Sequence, residues 1–357
     1  MEFVYRFPVV RGIQAEREYY IAMVPLKMLS KLFSSDDEEF VLPEFRAQRK
    51  INEARIPVIS KYILENRDSY VFSALAASID GEYSFEAVNE NLDVGVLQVS
   101  MDAHFLINDG QHRKAAILTA LKKEPSLENE TISIVLYADQ GLERSQQIFT
   151  DLNKNAIKTS NSISELYDSR DEIAVITRRV IWNIDFLNTY TDKEKDILGK
   201  YSSNLFTLNT FYMANKCIIA KNISDDCERF LVEFWGNIVK HMRQWKELEE
   251  KEITKLDLRE NFIATQSIVI QAFGRIGNYF YYNRNIEMES YLQKLEKVNW
   301  SRSSKQWYMR AVGKNGRIIT NKKAAMLIAN ILKKQIGIPL TLEEENAEDL
   351  LKTTIQE

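Results

Sequence analysis

Cysteine is nearly missing from this sequence. Cys217 and Cys227 are the only two, and their spacing fits no zinc or redox motif and cannot build a disulfide framework. Histidine is almost as scarce: His104, His112 and His241 form no H-E-x-x-H pair, so a zinc site is not expected. No stretch approaches the run of about 20 apolar residues that spans a bilayer. The opening Met1-Glu2-Phe3-Val4-Tyr5-Arg6 has no basic segment feeding an apolar core, so a cytoplasmic protein without a membrane partner is expected. A formal net charge of −4 excludes a uniformly basic nucleic-acid coat but leaves local patches open. What is present is ordinary for a folded chain: 45% hydrophobic and 27% charged residues over 357 positions, enough for two cores.

The first half mixes two periodicities. Residues 71–79 read as a mostly buried strand closed by Asp80-Gly81, and Tyr83, Phe85 and Ala87 alternate as the returning arm of a hairpin would. Leu97, Val99 and Met101 alternate again, 104–108 is a short apolar run, and Ile132, Ile134 and Leu136 mark a further strand. Helical spacing appears in Ile56, Ile59 and Ile63, with Pro57 in the first turn, and in Ala115, Leu118 and Leu121. From about residue 171 the pattern becomes helical, over 171–187, 205–221, 225–248, 259–280, 286–298 and 321–336. The expected architecture is α+β, with a mixed α/β domain over 1–168 and a mainly helical domain over 169–357. The acidic runs Asp36–Glu39 and Glu343–Asp349 read as solvated loop and tail.

One junction carries chemistry. The run from Phe105 through Asn108-Asp109-Gly110 to Gln111-His112-Arg113 passes from strand through a tight turn into a helix. First-turn amides of a helix lack internal partners and carry the positive end of the dipole, which suits an anion. Gly110 admits a ligand close to the backbone, Arg113 can fork onto phosphate, and His112 can donate to it. Asp109 would repel a bare phosphate, so capping, a sugar hydroxyl or Mg2+ is its expected role. Equally, Asn108 or Asp109 can simply cap the helix.

Residues 107–117, INDGQHRKAAI, resemble the signature of DGQHR-domain proteins, which are related to the ParB/sulfiredoxin-type fold. The Gln48-Arg49-Lys50-Ile51-Asn52-Glu53-Ala54-Arg55 segment resembles the Q-R-x-x-N-x-x-R element of those proteins, and Phe149-Thr150-Asp151-Leu152-Asn153 resembles their F-x-D-L-N element. Trp300-Ser301, Trp307 and Gly316-Arg317-Ile318 are similar to the C-terminal part of the DndB family. The resemblance implies a ParB-like N-terminal domain holding a nucleotide, ATP among the choices, with Mg2+, at Gln48, Arg49, Asn52, Arg55, Asp109, Gly110, Gln111, His112, Arg113 and Asn153. It further implies a repressor of a phosphorothioate DNA-modification gene cluster. ParB proteins carry G-E-R-R and sulfiredoxins G-C-H-R where this chain has Gly110-Gln111-His112-Arg113. The resemblance therefore keeps the anion-binding part of the motif and lacks the reactive part.

From Val298 to Leu342 there is no Asp or Glu, while the same stretch holds Arg302, Lys305, Arg310, Lys314, Arg317, Lys322, Lys323, Lys333 and Lys334, interleaved with Trp300, Trp307 and Tyr308. Such a stretch fits duplex DNA, a promoter region being the expected partner. The alternative is a basic helix end paired with the acidic run at 343–349. A homodimer is expected of a repressor that reads a palindrome, and the modification enzymes are further expected partners. The competing functional class is an NTPase or DNA-nicking nuclease, with Asp109, His112 and Arg113 as metal ligand, acid–base and phosphate clamp.

Overall fold

Alternation in the first 25 residues, which the sequence reading left unassigned, builds two strands: β1 (Val4–Gln14) and β2 (Arg17–Pro25). Phe7 and Val9 on one, and Tyr20, Ala22 and Val24 on the other, point to the same core. Their hairpin turns on Ala15 and Glu16, both left-handed at φ 51° and 63°. That is the twist a two-residue hairpin wants, made without the Asn-Gly signal that announces it.

The computed structural model describes residues 3–33, 51–88, 91–138, 142–154, 159–220 and 223–356. It divides into two units, Met1–Ile157 and Lys158–Glu357. The first continues with α1 (Leu29–Leu32), α2 (Ile56–Glu65), β3 (Leu75–Asp80), β4 (Tyr83–Val88), β5 (Asn91–Ser100), β6 (His104–Asp109), α3 (Gln111–Lys123), β7 (Thr131–Tyr137) and α4 (Leu142–Lys154). Its sheet runs β4-β5-β1-β2-β7-β3-β6.

This order corrects the expected hairpin at Asp80-Gly81. β3 pairs antiparallel with β6 and parallel with β7, while β4 pairs with β5 at the other edge. The two strands are different in kind. β3 is buried on both faces from Leu75 to Ile79, as an interior strand must be, whereas β4 alternates as an edge strand does. The short link from Asp80 to Tyr83 reaches at most about 11 Å. In a flat sheet those strands would lie roughly 24 Å apart, at about 4.8 Å per strand. The sheet must therefore coil. Tyr5 and Phe7 on β1 accordingly meet Phe105 on β6 edge to face, with ring centres 6.2 Å apart, across the inside of the curl.

The second unit comprises α5 (Asn161–Tyr167), α6 (Glu172–Trp182), α7 (Asp185–Tyr190), the short parallel pair β8 (Thr191–Asp192) and β9 (Phe206–Thr207), α8 (Leu208–Ile219), α9 (Cys227–His241), α10 (Arg243–Glu249), α11 (Lys255–Asn261), α12 (Ser267–Tyr282), α13 (Met288–Leu292), α14 (Lys322–Ile336) and α15 (Leu342–Gln356). Side chains of Ser160, Asp171, Thr207, Thr254 and Asn321 cap the starts of α5, α6, α8, α11 and α14. Buried α12 is the axis, flanked by α8 and α14. A Cβ at Gly274 would sit 2.9 Å from the Ala214 carbonyl oxygen, so this glycine lets α8 and α12 close together. Three expected long helices are broken, 171–187 near Asn183, 225–248 at Met242 and 259–280 between Asn261 and Ser267. The acidic run 343–349 is no solvated tail: it forms the first half of α15. No helix of the described residues is long and apolar enough to cross a membrane.

Candidate nucleotide and nucleic-acid sites

The strand–turn–helix at 105–123 forms as its sequence dictates. Asp109 ends β6, Gly110 is the left-handed N-cap at φ 103°, and α3 starts at Gln111. A Cβ on Gly110 would lie 2.3 Å from Leu75 Cδ2, so both backbone angle and space require glycine. No side chain of the described residues caps α3, which overturns the simple capping role for Asn108 or Asp109. Buried Asn108 instead accepts from Ser78 Oγ at 3.0 Å.

Arg113 is placed differently from a phosphate fork. Its guanidinium donates to the carbonyls of Ser73 at 2.7 Å and Ala74 at 2.8 Å, to Ser73 Oγ, and to the Asp109 carboxylate. It ties the start of β3 to the end of β6 and occupies the carboxylate that would hold Mg2+. His112 is likewise engaged: Nε2 accepts the Asn52 backbone N–H at 3.0 Å and therefore carries no proton in this geometry. That bond brings Asn52 to α3, and α2, which follows it, packs along α3. Arg55 precedes α2, is exposed, and pairs with no carboxylate of the described residues. Gln111 is nearly buried and makes no side-chain hydrogen bond to a described residue. Gln48 and Arg49 lie outside the described residues. Asn153 stands in α4, beside β6, and its side chain is among those not described. No group of three potential metal ligands occurs among the described residues.

The basic stretch separates into four roles. Trp300 and Trp307 are fully buried and stacked at 5.6 Å, so they are core and offer no face to a base. Arg302 donates to the Gly316 carbonyl at 2.7 Å and anchors the turn at 313–316. Arg310 makes a two-pronged ion pair with buried Glu348, at 2.5 and 2.7 Å. That pairing withdraws Arg310 from the phosphate-facing set and realises the alternative of a basic segment met by the acidic run. Lys305, Lys314, Arg317, Lys322 and Lys323 are exposed, and none meets a carboxylate of the described residues.

Sequence reasoning missed one buried acid. Glu165 on α5 is 9% exposed, its Oε2 has no hydrogen-bond partner among the described residues, and its position in the chain carries no motif. Burial, then the charges of Asp196 and Asp171, push its carboxyl up to about 8, against the opposing pull of Lys216.

A family model described as DndB, DNA-sulfur modification-associated, matches residues 7–339. No curated protein and no solved structure matches.

Proposed function

The chain belongs to the DndB family of DNA-sulfur modification-associated proteins, and from that membership we propose that it is a DNA-binding regulator of a phosphorothioate-modification gene cluster. The observation that carries the reading is the set of five exposed cations, Lys305, Lys314, Arg317, Lys322 and Lys323, in a chain whose net charge is −4. They stand on a rigid frame: the 313–316 turn is closed by Gly313 and Gly316 amides and pinned by Arg302, and α14 is capped by Asn321. Cations without acidic partners, held on an ordered backbone, lose little freedom on meeting phosphates and release counterions when they do.

The first unit is read as ParB/sulfiredoxin-like, with the α3 start as an anion site that a nucleotide occupies. Support comes from the left-handed Gly110, the start of α3 that no described side chain caps, and the junction of Asn52 with His112. Arg55 takes the role of the cationic clamp in this reading, because Arg113 is held by Ser73, Ala74 and Asp109. A bound nucleotide would then bear on the Asn52–His112 contact and so on the position of α2.

Anisotropy titrations on duplex DNA from upstream of the gene cluster and on unrelated duplex, across a salt series, test the DNA reading. Lys314→Ala with Arg317→Ala is expected to flatten the log–log salt slope by about two, at about 0.9 per phosphate contact. An unchanged slope in the double variant refutes this placement.

A further inference from the structure

The carboxylates of α15 cover a second set of cations. Of its residues with described burial, only Glu344, Ala347, Glu348 and Leu351 are buried, an i, i+3, i+4, i+7 stripe in which two of four side chains are glutamates. Glu344 accepts from Lys333 Nζ at 2.7 and 2.9 Å and lies 3.5 Å from Arg275. Glu348 takes Arg310 and lies 3.7 Å from Lys334. Four cations thus converge on two carboxylates one helical turn apart. The apolar part of the seam is small, Ala347 and Leu351 on Leu327, with Met309 and Met326 beside them. A helix held this way is bound as a polyanion is bound.

We propose that the surface beneath α15, formed by Arg275, Arg310, Lys333 and Lys334, is a binding site for the phosphodiester backbone of duplex DNA, and that α15 occupies it as an internal anionic stand-in. This rests on the DNA-binding reading above and extends it. The site is continuous in sequence with the exposed cations, since Arg310 precedes Lys314 and Arg317, and Lys333 and Lys334 share α14 with Lys322 and Lys323. The family match stops at residue 339, short of α15, while all four cations lie inside it. Duplex DNA presents one negative charge per about 1.7 Å of axis and outcompetes two carboxylates at low salt. Rising salt weakens both the helix seam and the DNA contact.

Hydrogen exchange on the unmodified chain, with and without saturating duplex DNA, reads the exchange of occupants directly. Amides of 342–356 are expected to lose protection when DNA is bound. Truncation after Thr341 is expected to tighten DNA binding about tenfold at low salt and to steepen the salt slope by about two or more. Since truncation can cost folding, Glu344→Gln with Glu348→Gln keeps the helix and removes the two buried charges that face the cations, and the same tightening is expected. Native tryptophan emission certifies the fold of each variant. Unchanged α15 protection in DNA-saturated protein, or folded variants that bind no tighter, overturns the proposal while leaving the DNA reading in place. Failure of all forms to bind DNA overturns both.

Discussion

Glu165→Gln isolates the electrostatic cost of one buried acid. The folded carboxyl titrates at about 8 against an ordinary 4.5. At pH 7 the native chain therefore holds a proton there that the unfolded chain has released. At about 1.36 kcal/mol per unit, that proton costs at most roughly 3.4 kcal/mol of stability at pH 7. Water reaching the rim of α5 and relaxation around Asp171 and Asp196 reduce this, so a gain of about 1–2 kcal/mol is expected for the neutral, same-shaped glutamine. The sign follows from the raised folded value. Between about pH 4.5 and 8 the unfolded state binds fewer protons, so parental stability falls as pH rises and levels off above 8. The variant lacks that slope. All five tryptophans, Trp182, Trp235, Trp245, Trp300 and Trp307, lie in Lys158–Glu357, the unit that contains Glu165. Urea unfolding followed by tryptophan emission thus reports the right half of the molecule. Equal stability is expected near pH 4.5 and a growing advantage for the variant toward pH 8. Parallel pH profiles for the two proteins would refute the reasoning.

Two further outcomes follow from ion pairs described above. Arg113→Ala is expected to lower the stability of the first unit by about 3 kcal/mol, because the Ser73 and Ala74 carbonyls lose a charged donor; hydrogen exchange of β3 and β6 amides measures it, and unchanged protection contradicts the tie. Burial raises the Glu344 and Glu348 carboxyls, but Lys333 with the Thr341 amide, and Arg310 with Asn330, hold both below the usual glutamate range. Docking of α15 is then complete above the ordinary glutamate value and lost as pH falls through the lower folded values; exchange of 342–356 at acid pH measures this, and loss beginning near neutrality would contradict it.

The candidate site was legible where local rules decide. The strand–turn–helix needs only Gly110 between an apolar run and a helical stripe, and both were plain in the sequence. The contact between the Asn52 segment and α3 was reachable only through the family resemblance. Partner choice was not legible. Asp80-Gly81 is a strong local turn signal, yet β3 is buried on both faces and so sits between β6 and β7. Only the contrast between continuous burial in 75–79 and alternation in 83–87 could have shown that these strands are not mates. The β1–β2 hairpin escaped because Ala15 and Glu16 adopt left-handed angles without glycine or asparagine. Charge was legible as a total and misleading in detail. The acid-free stretch from Val298 to Leu342 is real, but Arg310 and Lys333 are neutralised by acids a few turns further on, and Trp300 and Trp307 fill the core.

The strand order also sets a timetable. Of the six ladders in the sheet, only β1–β2 and β4–β5 join neighbours in sequence; the other four wait on distant chain. Non-local pairing of this kind slows folding. As the chain leaves the ribosome, the β1–β2 hairpin can close first, whereas Leu75–Asp80 has no partner until β6 has followed it out, and its second partner, β7, comes later still. That strand, buried on both faces in the finished sheet, keeps one edge unpaired until Tyr137 is synthesised. Mispairing with another nascent chain is the hazard of that interval.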